Sequence, residues 1–189
     1  MKAATQIQLL QQGNHQAFRQ LVDQYKDLLL NTCYRFVHHR EDAEDLTQEV
    51  FIEVHRSIHH FRGDSSLKTW LYRIAVTKSL DYLRKQKKRK TQELSDEQLN
   101  RLEANHLTDH DNERLSIRLK ALKEAITHLN DNQRTAFTLN KYEGLTALEI
   151  ADIMNLKKSG VDALIHRAKA KIRKELEKIV REKSQKAQA

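Results

Sequence analysis

Thr146-Ala147-Leu148-Glu149-Ile150-Ala151-Asp152-Ile153-Met154, then Asn155-Leu156-Lys157-Lys158, then Ser159-Gly160-Val161-Asp162-Ala163-Leu164-Ile165-His166-Arg167 is the stretch on which the fold turns. Thr146 to Glu149 has the form of a capping box, in which the hydroxyl accepts from a first-turn N–H and the glutamate reaches back. Ile150, Ala151 and Ile153 then supply an apolar face, and the small Ala151 lets a second helix come close. Residues 155–158 make a turn. Ser159-Gly160-Val161-Asp162 has the form of a second capping box, and Val161, Leu164, Ile165 and Ala168 carry the apolar stripe of the helix it opens. Short helix, short turn and longer basic helix is the plan of a helix-turn-helix, whose second helix enters the major groove of DNA. An ordinary αα-hairpin shares the plan; the basic continuation from His166 to Lys174 favours DNA.

The whole composition agrees with helices. In 189 residues there is no proline and only four glycines, too few turn formers for a sheet of many short strands. An all-α chain is expected. One cysteine, Cys33, excludes a disulfide framework or a cysteine-rich zinc site. Its neighbours Leu29, Leu30, Tyr34 and Phe36 suggest a buried thiol rather than a redox switch. No apolar run approaches the ~20 residues of a membrane span, and the first residues lack a signal-peptide core. A soluble, cytoplasmic protein with no membrane insertion is expected.

Lys and Arg total 34 against 26 Asp and Glu, a net of +8 that makes a polyanionic partner plausible. The distribution says more. Residues 41–53 hold six acids and no base, whereas 78–90 hold seven bases and one acid. Residues 91–116 are acidic again, and 157–183 return ten bases against four acids. Two basic blocks around an acidic stretch suggest two places that touch a polyanion.

Apolar spacing predicts helices over 4–31, broken near Gly13-Asn14, and another from about Glu41 to His60 on Ala43, Leu46, Val50, Phe51 and Val54. The acids of the latter cluster in its first half, where the helix dipole favours them. Phe61 to Ser66 reads as a loop ending in a helix cap, followed by a helix on Leu67, Trp70, Leu71, Ile74, Ala75 and Leu83. Residues 91–116 weaken into a polar tether. A second unit begins with a helix on Ile117, Leu119, Leu122, Ile126 and Leu129, and Gly144 breaks the chain after the next helix.

Enzyme chemistry finds little footing. His55 and His59 share a helix face, but there is no His-Glu-x-x-His arrangement, glycine-rich phosphate loop or nucleophile elbow. No catalytic residue, metal, cofactor or small-molecule substrate is expected.

Ala43-Glu44-Asp45-Leu46-Thr47-Gln48-Glu49-Val50-Phe51, Thr69-Trp70-Leu71-Tyr72-Arg73-Ile74-Ala75, Asp81-Tyr82-Leu83-Arg84-Lys85, and Leu145-Thr146 through Glu149-Ile150-Ala151 with His166-Arg167-Ala168-Lys169 occur in this order. Together they resemble the extracytoplasmic-function (ECF) group of bacterial RNA polymerase sigma factors, over roughly residues 6–176. The resemblance implies an all-α protein of two small helical domains joined by a flexible linker. Sigma region 2, a helical bundle, would occupy 1–90, a linker 91–116, and the sigma region 4 helix-turn-helix 117–183. The partners it implies are core RNA polymerase and promoter DNA, both duplex and melted non-template strand; an anti-sigma factor is often a further one in this group.

The resemblance also implies site residues. The acidic helix would dock on the largest polymerase subunit through Asp45, Gln48, Glu49 and Phe51. The segment after it would open the promoter and hold the minus-ten element through Arg62, Ser65, Trp70, Tyr72, Lys78, Arg84, Lys85, Lys88 and Arg89. Cations on phosphates and aromatic pockets for unstacked bases suit that task. Trp70 lies on an apolar stripe beside Leu67, Leu71 and Ile74, where core is the competing reading. The minus-thirty-five element would meet Ser159, Asp162, Ala163, His166, Arg167, Lys169, Lys171 and Arg173. Here the chain departs from its group, which commonly carries Thr-Val-Lys-Ser-Arg where Gly160-Val161-Asp162-Ala163-Leu164 stands. Asp162 is placed either as the N3 partner of a Ser159 cap or as an acceptor from a cytosine amino group. A stand-alone helix-turn-helix regulator is the alternative function.

Overall fold

A computed structural model describes residues 3–93, 121–122 and 124–186, and every regular element among them is helical. By contact, the chain forms two units, Met1–Arg89 with Leu148–Leu156, and Lys90–Ala147 with Lys157–Ala189. The expected tether lies outside the described residues from 94 onward, as do Ile117 and Leu119.

In the first unit α1 is Ala3–Gln11, α2 His15–Val37, α3 Arg40–Ser57 and α4 Leu67–Glu93, with a 3-10 turn at Ile58–His60. Gly13, at φ 74°, ends α1 because glycine enters the left-handed region without a Cβ clash. Its N–H reaches the Leu10 carbonyl and the Asn14 N–H that of Leu9, both at 3.0 Å, which satisfies the helix end. The Asn14 side chain then accepts from Ala17 N–H at 2.9 Å and starts α2. α2 runs six residues past the stretch predicted for it, because Cys33 and Phe36 continue its buried stripe.

α3 buries Ala43, Leu46, Thr47, Val50 and Val54, all at helical spacing. Ser66 caps α4, its hydroxyl accepting from Thr69 N–H at 3.0 Å, as the loop chemistry predicts. The core joins Leu21, Leu29 and Cys33 of α2 to the α3 stripe and to Leu71 and Ala75 of α4, and Leu10 and Phe61 close it. Within it the Cys33 thiol is fully buried, and that burial pushes its pKa up.

The second half of the chain carries α5 (helical residues 121–122 and 124–127), α6 (Asp131–Lys141), α7 (Ala147–Met154) and α8 (Lys158–Lys186). Asn130 and Gln133 form a reciprocal capping box that starts α6. Ala125, Ile126 and Leu129 pack with Phe137 of α6 and with Ala168 and Ile172 of α8. Arg134, half-buried, donates to the carbonyls of Thr127 at 2.9 Å and Leu129 at 3.4 Å, so it closes the end of α5. Burial lowers its pKa.

Asn155, at φ 53°, takes the left-handed position that ends α7, and Leu156 N–H returns to the Ala151 carbonyl at 3.0 Å. The next carbonyl, that of Lys157, accepts from Gly160 at 2.9 Å and from Val161 at 3.2 Å. Lys157 is therefore the N-cap of α8. This corrects the predicted Ser159 cap: the tight turn at Asn155 returns the chain to helix sooner, and Ser159 and Asp162 both lie inside α8.

Candidate nucleic-acid interface

The buried stripe of α3 decides what its opposite side presents. Asp45, Gln48 and Glu49 are exposed, and Ile52 is the large apolar residue among them at 52% exposure. Their spacing of three, four and seven residues makes one continuous strip. Phe51, expected there, is half-buried and packs against the core instead. Ile52 belongs to this exposed strip although it is not among the residues the resemblance implies. The signal was available, since two residues on from the buried Val50 is 200° around a helix.

Lys78 also departs from expectation. Its ammonium lies 3.8 Å from a carboxylate oxygen of Glu49 and 3.8 Å from one of Glu53, so it clasps α4 to α3. Arg84 is exposed and pairs with Asp81 at 3.1 Å, one turn back. Lys85, Lys88 and Arg89 are exposed along the end of α4.

Before α4, the loop is tied down at its base. Phe61 is buried, and Gln11 donates to its carbonyl at 2.9 Å. Arg62 and Asp64 stand out from the loop, 3.9 Å apart and both more than four-fifths exposed. Ser65 is half-exposed beside them. Trp70 is half-buried against the core, with its ring 5.2 Å from that of Phe61. One part of it packs and another stays open. Tyr72 is 2% exposed with the Lys68 ammonium 5.8 Å from its ring centroid. The ring expected to hold an unstacked base is thus covered in this structure.

Along α8 the buried positions are Val161, Ala168 and Ile172. Ser159, Asp162, His166, Arg167, Lys169, Lys171 and Arg173 are exposed, and Ala163 is half-exposed. Lys171 bends back to donate to the His128 carbonyl, and the other cations face outward. Among the described residues no group of three His, Cys, Asp or Glu is placed to hold a metal ion. His55 packs edge-on against Phe18 at 5.1 Å between ring centroids. No helix among them is long and apolar enough to cross a membrane.

Two family profiles match the chain, Sigma-70 region 2 over residues 21–89 and Sigma-70, region 4 over residues 119–172. The ECF RNA polymerase sigma-E factor of Haemophilus influenzae is 37% identical over 180 residues, covering 92% of this chain and 95% of that protein. The chain belongs to the sigma-70 family, in its ECF group. The fold of this sigma factor is similar to CnrH, solved with the cytosolic domain of CnrY, at a TM-score of 0.66 and 23% identity. That match covers 92% of this sigma factor and 96% of CnrH. It is also similar to the sigma factor RpoE of Bartonella quintana, solved with the anti-sigma factor NepR. There the TM-score is 0.60 and the identity 20%, over 85% of this chain and 96% of that one.

Proposed function

We propose that this sigma factor directs promoter-specific transcription through three faces, each of which opposes a buried stripe on its own helix. The observation that carries the proposal is on α3, where Asp45, Gln48, Glu49 and the open Ile52 form one exposed strip. An acidic strip around one apolar residue suits an electropositive protein partner, and core RNA polymerase is the one assigned here. Promoter DNA is assigned to the other two faces. Arg62, Ser65, the open part of Trp70, and Arg84, Lys85, Lys88 and Arg89 would take the melted minus-ten strand, with bases on the loop and ring and phosphates on the helix end. The exposed side of α8 would enter the minus-thirty-five major groove, with His166, Arg167, Lys169 and Arg173 on its phosphates.

The proposed domain division is 1–90 for polymerase and minus-ten binding, a linker over 91–116, and 117–183 for the helix-turn-helix; the profile matches over 21–89 and 119–172 support it. The protein would act in the cytoplasm beside polymerase, as a regulatory subunit with no catalytic step of its own. An anti-sigma factor is a further proposed partner, since a sigma factor of this fold has been solved with one. A stand-alone regulator would leave the α3 strip without a role. Transcription from a supercoiled promoter with core polymerase tests the proposal. A promoter-specific open complex that depends on this chain supports it, and core polymerase that opens no promoter in its presence refutes it.

A further inference from the structure

Asp162 is the one acid between Lys157 and Lys174, a stretch with seven Lys and Arg residues. It is exposed, in the second turn of α8, on the side assigned above to the major groove. Its structural explanations are weak. The helix cap belongs to Lys157, so Asp162 caps nothing. It accepts from the Lys158 ammonium at 2.7 Å through Oδ2, in an exposed i,i+4 pair. That order, cation before acid at a helix start, runs against the helix dipole and adds little to helix stability.

In the groove the same geometry has a use. A carboxylate there is repelled by phosphates unless it meets a base-edge donor, and the matching one is the cytosine N4 amino group. Lys158 on Oδ2 offsets the charge and steadies the side chain, and the exposed carboxylate keeps Oδ1 as a further acceptor. The position also fits, because residues near the start of a recognition helix are the ones that reach base edges. We propose that Asp162 is a specificity determinant of this sigma factor, selecting a cytosine in the minus-thirty-five element. This rests on the placement of α8 in that groove.

Holoenzyme reconstituted with the full chain, presented with promoters randomised across the minus-thirty-five region, tests it. Wild type is expected to select cytosine at one position. Asp162→Ala should lose that preference alone, with binding of the cytosine promoter falling about 5- to 100-fold relative to its single-base variants. Asp162→Asn should move the preference at the same position toward adenine, whose N6 and N7 an amide can pair. The proposal is overturned if Asp162→Ala keeps every base preference and only tightens binding to all promoters alike, the mark of simple repulsion. Wild-type holoenzyme with no preference anywhere in the region would instead remove the α8 assignment itself, and this proposal with it.

Discussion

Replacing Ile52 by alanine should weaken the hold on core polymerase while leaving the fold intact. Ile52 stands 52% exposed amid Asp45, Gln48 and Glu49. Fully burying an isoleucine side chain is worth roughly 1.5–3 kcal/mol, so covering its open half against a partner is worth about 1 kcal/mol. Losing that contact raises Kd about fivefold. Equilibrium competition against labelled wild-type chain for core polymerase measures it directly. Because the contribution is apolar, the ratio of mutant to wild-type Kd should persist at high salt, where the acids are screened. The adjacent Phe51→Ala gives the contrast: it removes a ring packed on the core, and so lowers the unfolding midpoint. Ile52→Ala binding core as tightly as wild type would show that the α3 strip is only a solvated face.

Leu71→Ala, at a fully buried position between α2, α3 and α4, should cost about 2–5 kcal/mol, read from urea unfolding. Salt dependence separates the cations of α4: neutralising Lys85, Lys88 and Arg89 to glutamine should reduce the log–log slope of holoenzyme binding to a minus-ten non-template oligonucleotide by about 2. Lys78→Gln should leave that slope unchanged, because its charge already faces Glu49 and Glu53. Burial raises the Cys33 pKa in the fold, so its contribution to stability is complete below the ordinary thiol value of about 8.5 and is lost as pH rises beyond it. Comparing unfolding of wild type and Cys33→Ala from pH 7 to 10 should show the wild type alone losing that increment, and native Cys33 should resist alkylation until the chain unfolds.

What the sequence made legible was whatever depends on one helix at a time. The α3 stripe, the break at Gly13-Asn14 and the Ser66 cap follow from spacing and side-chain chemistry within a few residues. The Ser159 cap was misread for a local reason too. Ser-Gly-Val-Asp has the residues of a capping box, but where α8 starts is set upstream, by the left-handed Asn155. Lys78 and Tyr72 were opaque for a different reason. A count of charges along 78–90 does not say that the first of them turns toward another helix. Nor does an aromatic among cations announce that it is covered.

A small unit that presents an acidic face to one partner and a basic face to another must keep the two from cancelling. In the first unit that separation is partial and grows along α4. Lys78 is a cation at the join, held by Glu49 and Glu53 of α3. At 1.5 Å of rise per residue, Lys85 to Arg89 lie about 10 to 16 Å further along the axis. Asp42 of α3, however, meets Tyr82, so the carboxylates come within about 5 to 10 Å along the axis of Lys85 to Arg89, inside or near a Debye length of about 8–10 Å, and offset part of the field there. Asp81 acts locally, on Arg84 one turn away. The modest net charge of +8 therefore conceals segregated charge of both signs, and the cations nearest the end of α4 are the ones least offset by α3.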